Sequence, residues 1–187
     1  MPSTTKPTPQ QLAHLRALLV ADMSDTSWDK GVHIFSYRTC DKNEYRLRAG
    51  AICTHFYLVL KGVLRQFYTT AEGREFNKSF SLQDEPCGSF HSALTKMPSR
   101  FSIQALEDCQ LLCFCFDDLN LLFDSDPHWA RLGRRAAEMQ TLINEEREAS
   151  FLLDSAPTRY QNFLEQYPGL EDRIPHYHIA SYLGITN

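Results

Sequence analysis

The chain has 187 residues, of which 43% are hydrophobic and 22% charged, and its formal net charge at pH 7 is -4. This length allows a main domain and a small appendage, while the absence of a long apolar run or a signal-peptide pattern leads us to expect a cytoplasmic protein with no membrane partner. The negative charge argues against indiscriminate binding to nucleic acid, although it could hide a small basic element.

The first predicted element is an amphipathic helix from Pro9 to about Asp22, where leucines recur at helical spacing. A short irregular or helical piece through Trp28 follows it. We expect the helix to cap the domain that comes next.

Seven short runs after His33 predict β-strands, because they are rich in aromatic and branched residues and are separated by turn residues. They are IFSYRTC, EYRLR, HFYLVLK, VLRQFYTT, EFNKSFSL, RFSIQAL and CQLLCFCF. Strands this short and regularly spaced predict an α+β fold with an antiparallel β-roll or jelly roll. Gly62 lies between two of the runs and predicts a sharp bend or a close backbone approach.

A long helix is predicted from Pro127 to Asp154, after a short helix Asp117 to Phe123 with Asp117 as its N-cap. Apolar side chains recur along the long helix at three- and four-residue steps, at Trp129, Leu132, Ala136, Met139 and Ile143, and the line resumes at Leu153 after Glu146 and Ser150 interrupt it. Such a narrow seam suits one partner helix, and we expect the same helix of a second copy. The alternative is a helix packed on its own domain.

Two further helices are predicted in the tail, from Thr158 to Tyr167 and from about Pro175 to Leu183. The second ends in a pattern typical of the first half of a helix-turn-helix, namely a small residue, a glycine four residues later and apolar neighbours. The residues are Ile179, Ala180, Leu183, Gly184 and Ile185. The same spacing also occurs at ordinary helix ends. A base-reading helix would have to lie beyond Asn187.

This order of elements resembles the Crp/Fnr family of bacterial transcription regulators. FYLVLKGVLRQFYTTAEGRE is similar to the family's roll, PSRFSIQALEDCQLLCF to the strand pair after its phosphate-binding cassette, and RYQNFLEQYPGLEDRIPHYHIASYLGIT to its tail. The resemblance implies a cyclic-nucleotide-binding-like sensor roll with its N-terminal helix over 9–124, a dimerisation helix over 125–154, and the first part of a small, winged helix-turn-helix domain over 155–187. It also implies a homodimer, an unknown small-molecule effector, RNA polymerase as a partner, and double-stranded DNA as a partner if a recognition helix follows Asn187.

The chain departs from the family at the cassette. Gly88 fits the family's glycine, but Ser89 stands where the ribose-binding Glu would be, Ser99 where the phosphate-binding Arg would be, and Arg100 where a Ser or Thr would follow. Loss of the carboxylate and the guanidinium removes the main polar contacts, so we expect no tight binding of cyclic AMP.

The remaining pocket residues allow either of two states. Phe90, His91 and Phe101, with Ser89 and Ser99, would line a small aromatic cavity for an apolar ligand, but a collapsed pocket is equally consistent with them. His91 could ligate haem or a metal, yet a lone histidine is more often structural. We expect no cofactor and no bound metal.

Other functions have weaker support. A cupin-like oxygenase needs two histidines one residue apart on a strand, whereas the only such pair, His176 and His178, lies in the helical tail. The six cysteines are irregularly spaced and fit reduced thiols better than disulfides. We therefore expect no enzyme. The main alternative to a DNA-binding regulator is a dimeric ligand sensor or scaffold, which the reading frame after Asn187 would distinguish.

Overall fold

Two four-stranded antiparallel sheets and seven α-helices make up the fold of residues 5–19 and 23–185, which a computed structural model describes. The helices are α1 Pro9–Leu19, α2 Asp25–Gly31, α3 Phe90–Thr95, α4 Phe116–Ser125, α5 Pro127–Leu153, α6 Ala156–Gln166 and α7 His176–Leu183. The strands are β1 Ser36–Cys40, β2 Tyr45–Leu47, β3 His55–Lys61, β4 Leu64–Thr69, β5 Glu75–Ser81, β6 Pro86–Cys87, β7 Ser102–Ala105 and β8 Cys109–Cys115. A 3-10 turn, Val32–Ile34, joins α2 to the roll.

The sheets have the strand orders β1-β8-β3-β6 and β2-β7-β4-β5, and every strand pair is antiparallel. Their facing sides share one core that includes Val59, Leu64, Ile103 and Leu111, because alternate residues of each strand point between the sheets. The predicted α+β class with an antiparallel roll is therefore confirmed.

Gly62 makes the close approach that its position predicts. Its φ angle is 100°, and a Cβ there would lie 2.5 Å from the Cys109 Sγ and 2.9 Å from the Asp108 carbonyl oxygen. A side chain at this position would therefore collide with the start of β8.

An outer helical layer covers the sheet that contains β1, β8 and β3. Leu15 of α1, Trp28 of α2, Phe35 and Leu112 join Trp129 of α5 in a second hydrophobic core. The first turn of the long helix is thus part of the hydrophobic packing on the roll.

Trp129 corrects one part of the predicted seam. The indole is fully buried, its Nε1 donates a hydrogen bond to the Ser27 carbonyl at 2.8 Å, and a Cβ at Gly31 would lie 2.2 Å from its ring. Leu132 also packs against this cluster. Because the apolar ring is buried and its N-H has an acceptor, Trp129 anchors α5 to the roll of the same chain. It is therefore unavailable to a partner helix.

Several predicted boundaries were right and others were wrong. Asp126 caps α5 as predicted, accepting a hydrogen bond from the His128 N-H at 2.9 Å. Asp117 is not an N-cap, because α4 begins one residue earlier at Phe116 and places Asp117 in its first turn. In the tail, α6 begins at Ala156, since Ser155 caps it and Pro157 is tolerated in a first turn.

Strand β6 and helix α3 were not predicted. Both are short, with two and six residues respectively, so they carry little periodic signal. Among the described residues, no helix combines the length and apolar character that a membrane crossing requires.

We expect Trp129→Phe to lower the free energy of unfolding by about 1 to 3 kcal/mol, because it loses the buried hydrogen bond to Ser27 and leaves a void beside Gly31. Urea denaturation measures the change. The matched control is Leu152→Ala on the same helix, which is 76% exposed and should stay within about 0.5 kcal/mol of the parent. Equal effects of the two substitutions would contradict the anchoring role of Trp129.

Candidate functional site

The predicted pocket segment folds into β6, α3 and the turn before β7. Gly88 lies against the Phe56 ring, which would be 2.3 Å from a Cβ at this position. Ser89 and Ser99 are both buried and their Oγ atoms lie 3.3 Å apart, while the Ser99 hydroxyl also donates to the Phe101 carbonyl at 2.8 Å. The two serines thus bind each other and the backbone.

Three other predicted pocket residues lie towards solvent. Phe90 is partly exposed, but its ring still packs at 4.9 Å from that of Phe56 and 5.9 Å from that of Phe116. His91 and Arg100 are exposed. In the part of the chain that the structure describes, no three His, Cys, Asp or Glu side chains cluster to hold a metal ion.

Two residues that the sequence did not single out hold α3 in place. The Ser92 hydroxyl accepts a hydrogen bond from the Cys53 N-H at 2.9 Å and donates one to the Met97 carbonyl at 2.6 Å. The Cys53 thiol in turn accepts the Ser89 N-H at 3.3 Å. Burial raises the pKa of this thiol, so it stays protonated at neutral pH. Hydrogen bonds to Cys53, which precedes β3, therefore hold the start of α3 in place.

The tail helices α6 and α7 pack on the outer side of the second sheet. Their apolar residues share a core with three residues of the roll, Val63, Phe80 and Leu106. The Phe80 ring lies 5.5 Å from that of Tyr167 and 5.6 Å from that of Tyr182. The tail therefore docks on the roll through an aromatic cluster.

The predicted helix-turn-helix residues lie at the end of this docked helix. Ile179 and Leu183 are buried in the shared core, and Ala180 is half-buried. Gly184 has a φ angle of 68° and ends α7 in the left-handed conformation that its position predicts. Ile185 is exposed, so it does not bury the corner in the way that the motif implies.

A buried polar network crosses the contact between roll and tail. The Arg65 guanidinium donates to the Gln104 Oε1 at 3.0 and 2.6 Å and forms an ion pair with Glu75 at 2.7 Å. The Asn77 amide donates to the His178 carbonyl at 2.9 Å. This network was not predicted from the sequence, because Arg65 and His178 are 113 positions apart in the chain.

His178 of α7 is the tail's contribution to that network. Its Nδ1 lies 3.2 Å from the Asn77 amide nitrogen and 3.4 Å from an Arg65 Nη atom. Both neighbours are donors, so Nδ1 accepts and the ring proton is on Nε2. Burial, and then the charge of Arg65, lower the pKa of His178 to about 4.

The long helix meets the roll and the tail at Arg147. Its guanidinium donates to the Asn77 carbonyl at 3.3 Å and to the Tyr182 carbonyl at 3.2 Å, and it lies 4.0 Å from the Tyr182 ring centre. The Asn77 N-H is bound by the Ser181 hydroxyl at 3.0 Å. A cleft of about 730 Å³ opens beside this junction between α5 and the tail.

The second half of α5 presents apolar side chains to solvent. Met139 is 58% exposed and Leu153 is 82% exposed, and Ile143 and Ala136 are exposed as well. Leu142, which the predicted seam did not include, lies beside Met139 and extends the same apolar surface, whereas Leu152 is exposed on the other side of the helix. We call this surface, Ala136 to Leu153, the α5 apolar face.

Comparison with known proteins gives one family and a set of similar folds. Residues 37–126 match the family model of the cyclic nucleotide-binding domain. FixK2 from Bradyrhizobium japonicum aligns with a TM-score of 0.70 and 19% identity, over 82% of this chain and 79% of that chain. A search of curated proteins finds no match.

Two further solved structures share the fold. A protein from Eubacterium rectale, assigned to the crp/fnr family of transcriptional regulators, aligns with a TM-score of 0.69 and 20% identity, over 88% of this chain and 79% of that chain. The catabolite activator protein of Thermus thermophilus aligns with a TM-score of 0.53 and 22% identity, over 90% of this chain and 81% of that chain.

We expect the free energy of unfolding to fall as the pH drops from 6.5 towards 4, by roughly 3 kcal/mol from His178 alone. The folded chain keeps this imidazole neutral down to about pH 4, whereas the unfolded chain protonates it near 6.5, so acid favours unfolding. Above pH 6.5 the contribution is fully present.

Urea denaturation at several pH values tests this expectation with two variants. His178→Asn keeps an acceptor but cannot titrate, so its stability should lose this part of the pH dependence. His176→Asn removes an exposed histidine of the same helix and should leave the pH dependence unchanged. Identical pH profiles for the parent and His178→Asn would refute the role of His178.

Proposed function

We propose that this chain, whose residues 37–126 belong to the cyclic nucleotide-binding domain family and whose fold is that of Crp/Fnr regulators, is a DNA-binding transcription regulator. The observation that carries the proposal is the physical continuity of a sensor roll, a long helix and a tail that ends in a left-handed glycine at Gly184. The resemblance inferred from the sequence is confirmed for the sensor domain family and for the fold. The predicted domain limits, 9–124, 125–154 and 155–187, are part of the proposal.

The regulator that we propose does not respond to cyclic AMP. Its cassette offers two neutral hydroxyls, Ser89 and Ser99, in place of a carboxylate and a guanidinium, and these hydroxyls are hydrogen-bonded to each other. A cyclic phosphate would therefore find no guanidinium to pair with, and its binding would have to break the hydrogen bond between Ser89 and Ser99. Arg100, the nearest cation in sequence, is exposed.

Dimerisation through α5 is the second part of the proposal. The helix has 27 residues and is therefore about 40 Å long, and its apolar packing on the roll is made by its first two turns, while Arg147 further along binds the Asn77 carbonyl. Water contacts the remaining apolar face, which Met139, Leu142 and Ile143 dominate. A second copy of the same helix would remove this face from water and would place two tails side by side.

Coupling between roll and tail would pass through Asn77. This residue contacts His178 and Ser181 of α7 through its side chain and N-H, and Arg147 of α5 through its carbonyl. A ligand that shifts the roll would therefore move the tail relative to the long helix. In a dimer this movement would change the separation of two reading helices, which must match major grooves about 34 Å apart. Contact with RNA polymerase stays a prediction.

We expect Met139→Glu to convert the protein to monomers, because a charge cannot be buried between two helices without a partner. Light scattering measures the mass, and DNA selection with the product of the complete reading frame should recover paired half-sites only for the dimer. Thr141→Glu adds the same charge to the opposite side of α5 and should leave both results unchanged.

These two measurements separate the functional alternatives. A dimer that selects paired half-sites supports the regulator. A dimer that selects no DNA sequence favours a ligand sensor or scaffold. A parent protein that is monomeric, or a Met139→Glu variant that stays dimeric, would refute dimerisation through the α5 apolar face.

Calorimetric titration with cyclic AMP should show no binding of micromolar or better affinity, because the pocket lacks the guanidinium for the phosphate and the carboxylate for the ribose hydroxyl. The control is the variant Arg100→Ala, which should give the same result, since the exposed guanidinium is not available to a pocket ligand. Micromolar affinity in the parent protein would overturn this part of the proposal.

A further inference from the structure

The end of α5 meets the end of α7 through a chain of alternating arginine and aromatic side chains. The Arg147 guanidinium contacts two rings, with its central carbon 4.0 Å from the Tyr182 ring centre and 4.7 Å from the Phe151 ring centre. Arg159 of α6 lies over the same Phe151 ring, at 5.5 Å from its centre. Cations at these distances are attracted to the ring faces. We call these four residues the arginine clasp.

The two arginines of the clasp also bind the last carbonyl groups of α7. An α-helix leaves its final carbonyls without donors from within the helix. Arg147 donates to the Tyr182 carbonyl at 3.2 Å, and the Arg159 Nε donates to the Leu183 carbonyl at 3.1 Å. The Arg159 Nη1 also donates to the carbonyl of Asp154, the C-cap residue of α5, at 2.9 Å. Charged donors therefore join the ends of α5 and α7.

The glycine that ends α7 fits against the ring of the clasp. Gly184 has a φ angle of 68°, and a Cβ there would lie 2.9 Å from the Phe151 ring. The Gly184 N-H and the Ile185 N-H both bind the Ala180 carbonyl, which closes the turn. Phe151 is 42% exposed and belongs to none of the hydrophobic cores found among the described residues. Its packing is therefore directed at the turn that follows α7.

Other contacts hold α7 on the roll. Ile179 and Leu183 are buried in the core shared by roll and tail, and His178 lies beside Asn77. Burial of apolar surface is non-directional, so it keeps α7 on the sheet without fixing the path of the chain after it. Hydrogen bonds are directional, and those of the clasp act on the last turn of α7.

We propose that the arginine clasp sets the direction in which the chain leaves α7 relative to the long helix. The inference rests on the proposed function, because in a dimeric regulator this direction decides how far apart two reading helices lie. Arg147, Phe151 and Arg159 are positioning residues, which act through a reading helix that follows Gly184. The clasp deepens the proposed function by naming the side chains that relate the dimer helix to the spacing of the DNA half-sites.

Hydrogen exchange measured by mass spectrometry tests the clasp in this chain without DNA. Phe151→Leu keeps an apolar side chain but removes the ring that both arginines contact. We expect the amides of residues 182–185 to exchange roughly tenfold faster, because the last turn of α7 loses its support. The amides of β1 to β8 should keep their parent rates.

Two lysine substitutions complete this experiment. Arg159→Lys keeps the charge but loses the fork that bridges two carbonyls, so it should speed exchange in the same residues. Arg135→Lys makes the same change at an exposed arginine of α5 and should leave every rate unchanged. Arg147 is a poorer test, because it also binds the Asn77 carbonyl and its loss would disturb the roll.

Two results of the exchange measurement would overturn the proposal. One is an unchanged rate at residues 182–185 in both Phe151→Leu and Arg159→Lys. The other is an equal acceleration throughout the chain, which would show a general loss of stability and no specific effect on the end of α7.

DNA selection with the product of the complete reading frame tests the positioning role directly. The parent should prefer one separation of paired half-sites, whereas Phe151→Leu should accept several, with its mass by light scattering still that of a dimer. The same single separation in both proteins would overturn the positioning role. A parent that selects no DNA sequence would refute the proposed regulator function, and the exchange rates would then decide alone whether the clasp holds the end of α7.

Discussion

The constraint on which the structure depends is that both outer faces of the β-roll must be covered. On one face α1, α2 and α4 pack around Trp129, and on the other α6 and α7 pack around Phe80. The long helix lies between these two contacts. Its start packs on the first face, and its end leads into the tail, which packs on the second face. Burial of the two faces therefore determines the position of the tail as well as the positions of α1, α2 and α4.

A buried arginine helps to fix the position of the tail on the second sheet. Across β4, Arg65 is paired in register with Gln104 and Phe80, so its guanidinium emerges beneath the tail, among groups that satisfy it. This arrangement stabilises one docking geometry of the tail.

Local patterns predicted most of the fold from the sequence. Strand periodicity, the Asp126-Pro127 start of α5 and the glycine that ends α7 all depend on near neighbours, and the structure has them where expected. Trp129 shows the limit of such patterns. A seven-residue repeat identifies an apolar line on a helix but does not say which surface will cover it, and the roll covers the first two turns.

The candidate site was less predictable, because its contacts join distant segments. The sequence placed Ser89 and Ser99 in one pocket, and they do touch. It could not show that α3 forms, that Cys53 and Ser92 hold it, or that His178 meets Asn77, since no local spacing links residues that are tens of positions apart.

The main chain of Asn77 binds both the long helix and the tail, and this affects how the molecule can change shape. Its carbonyl binds the long helix through Arg147, its N-H binds the tail through Ser181, and the same Arg147 also holds the carbonyl of Tyr182. A displacement of Asn77 therefore changes the contact with the long helix and the contact with the tail at the same time, so a movement of the roll reaches both parts through one residue.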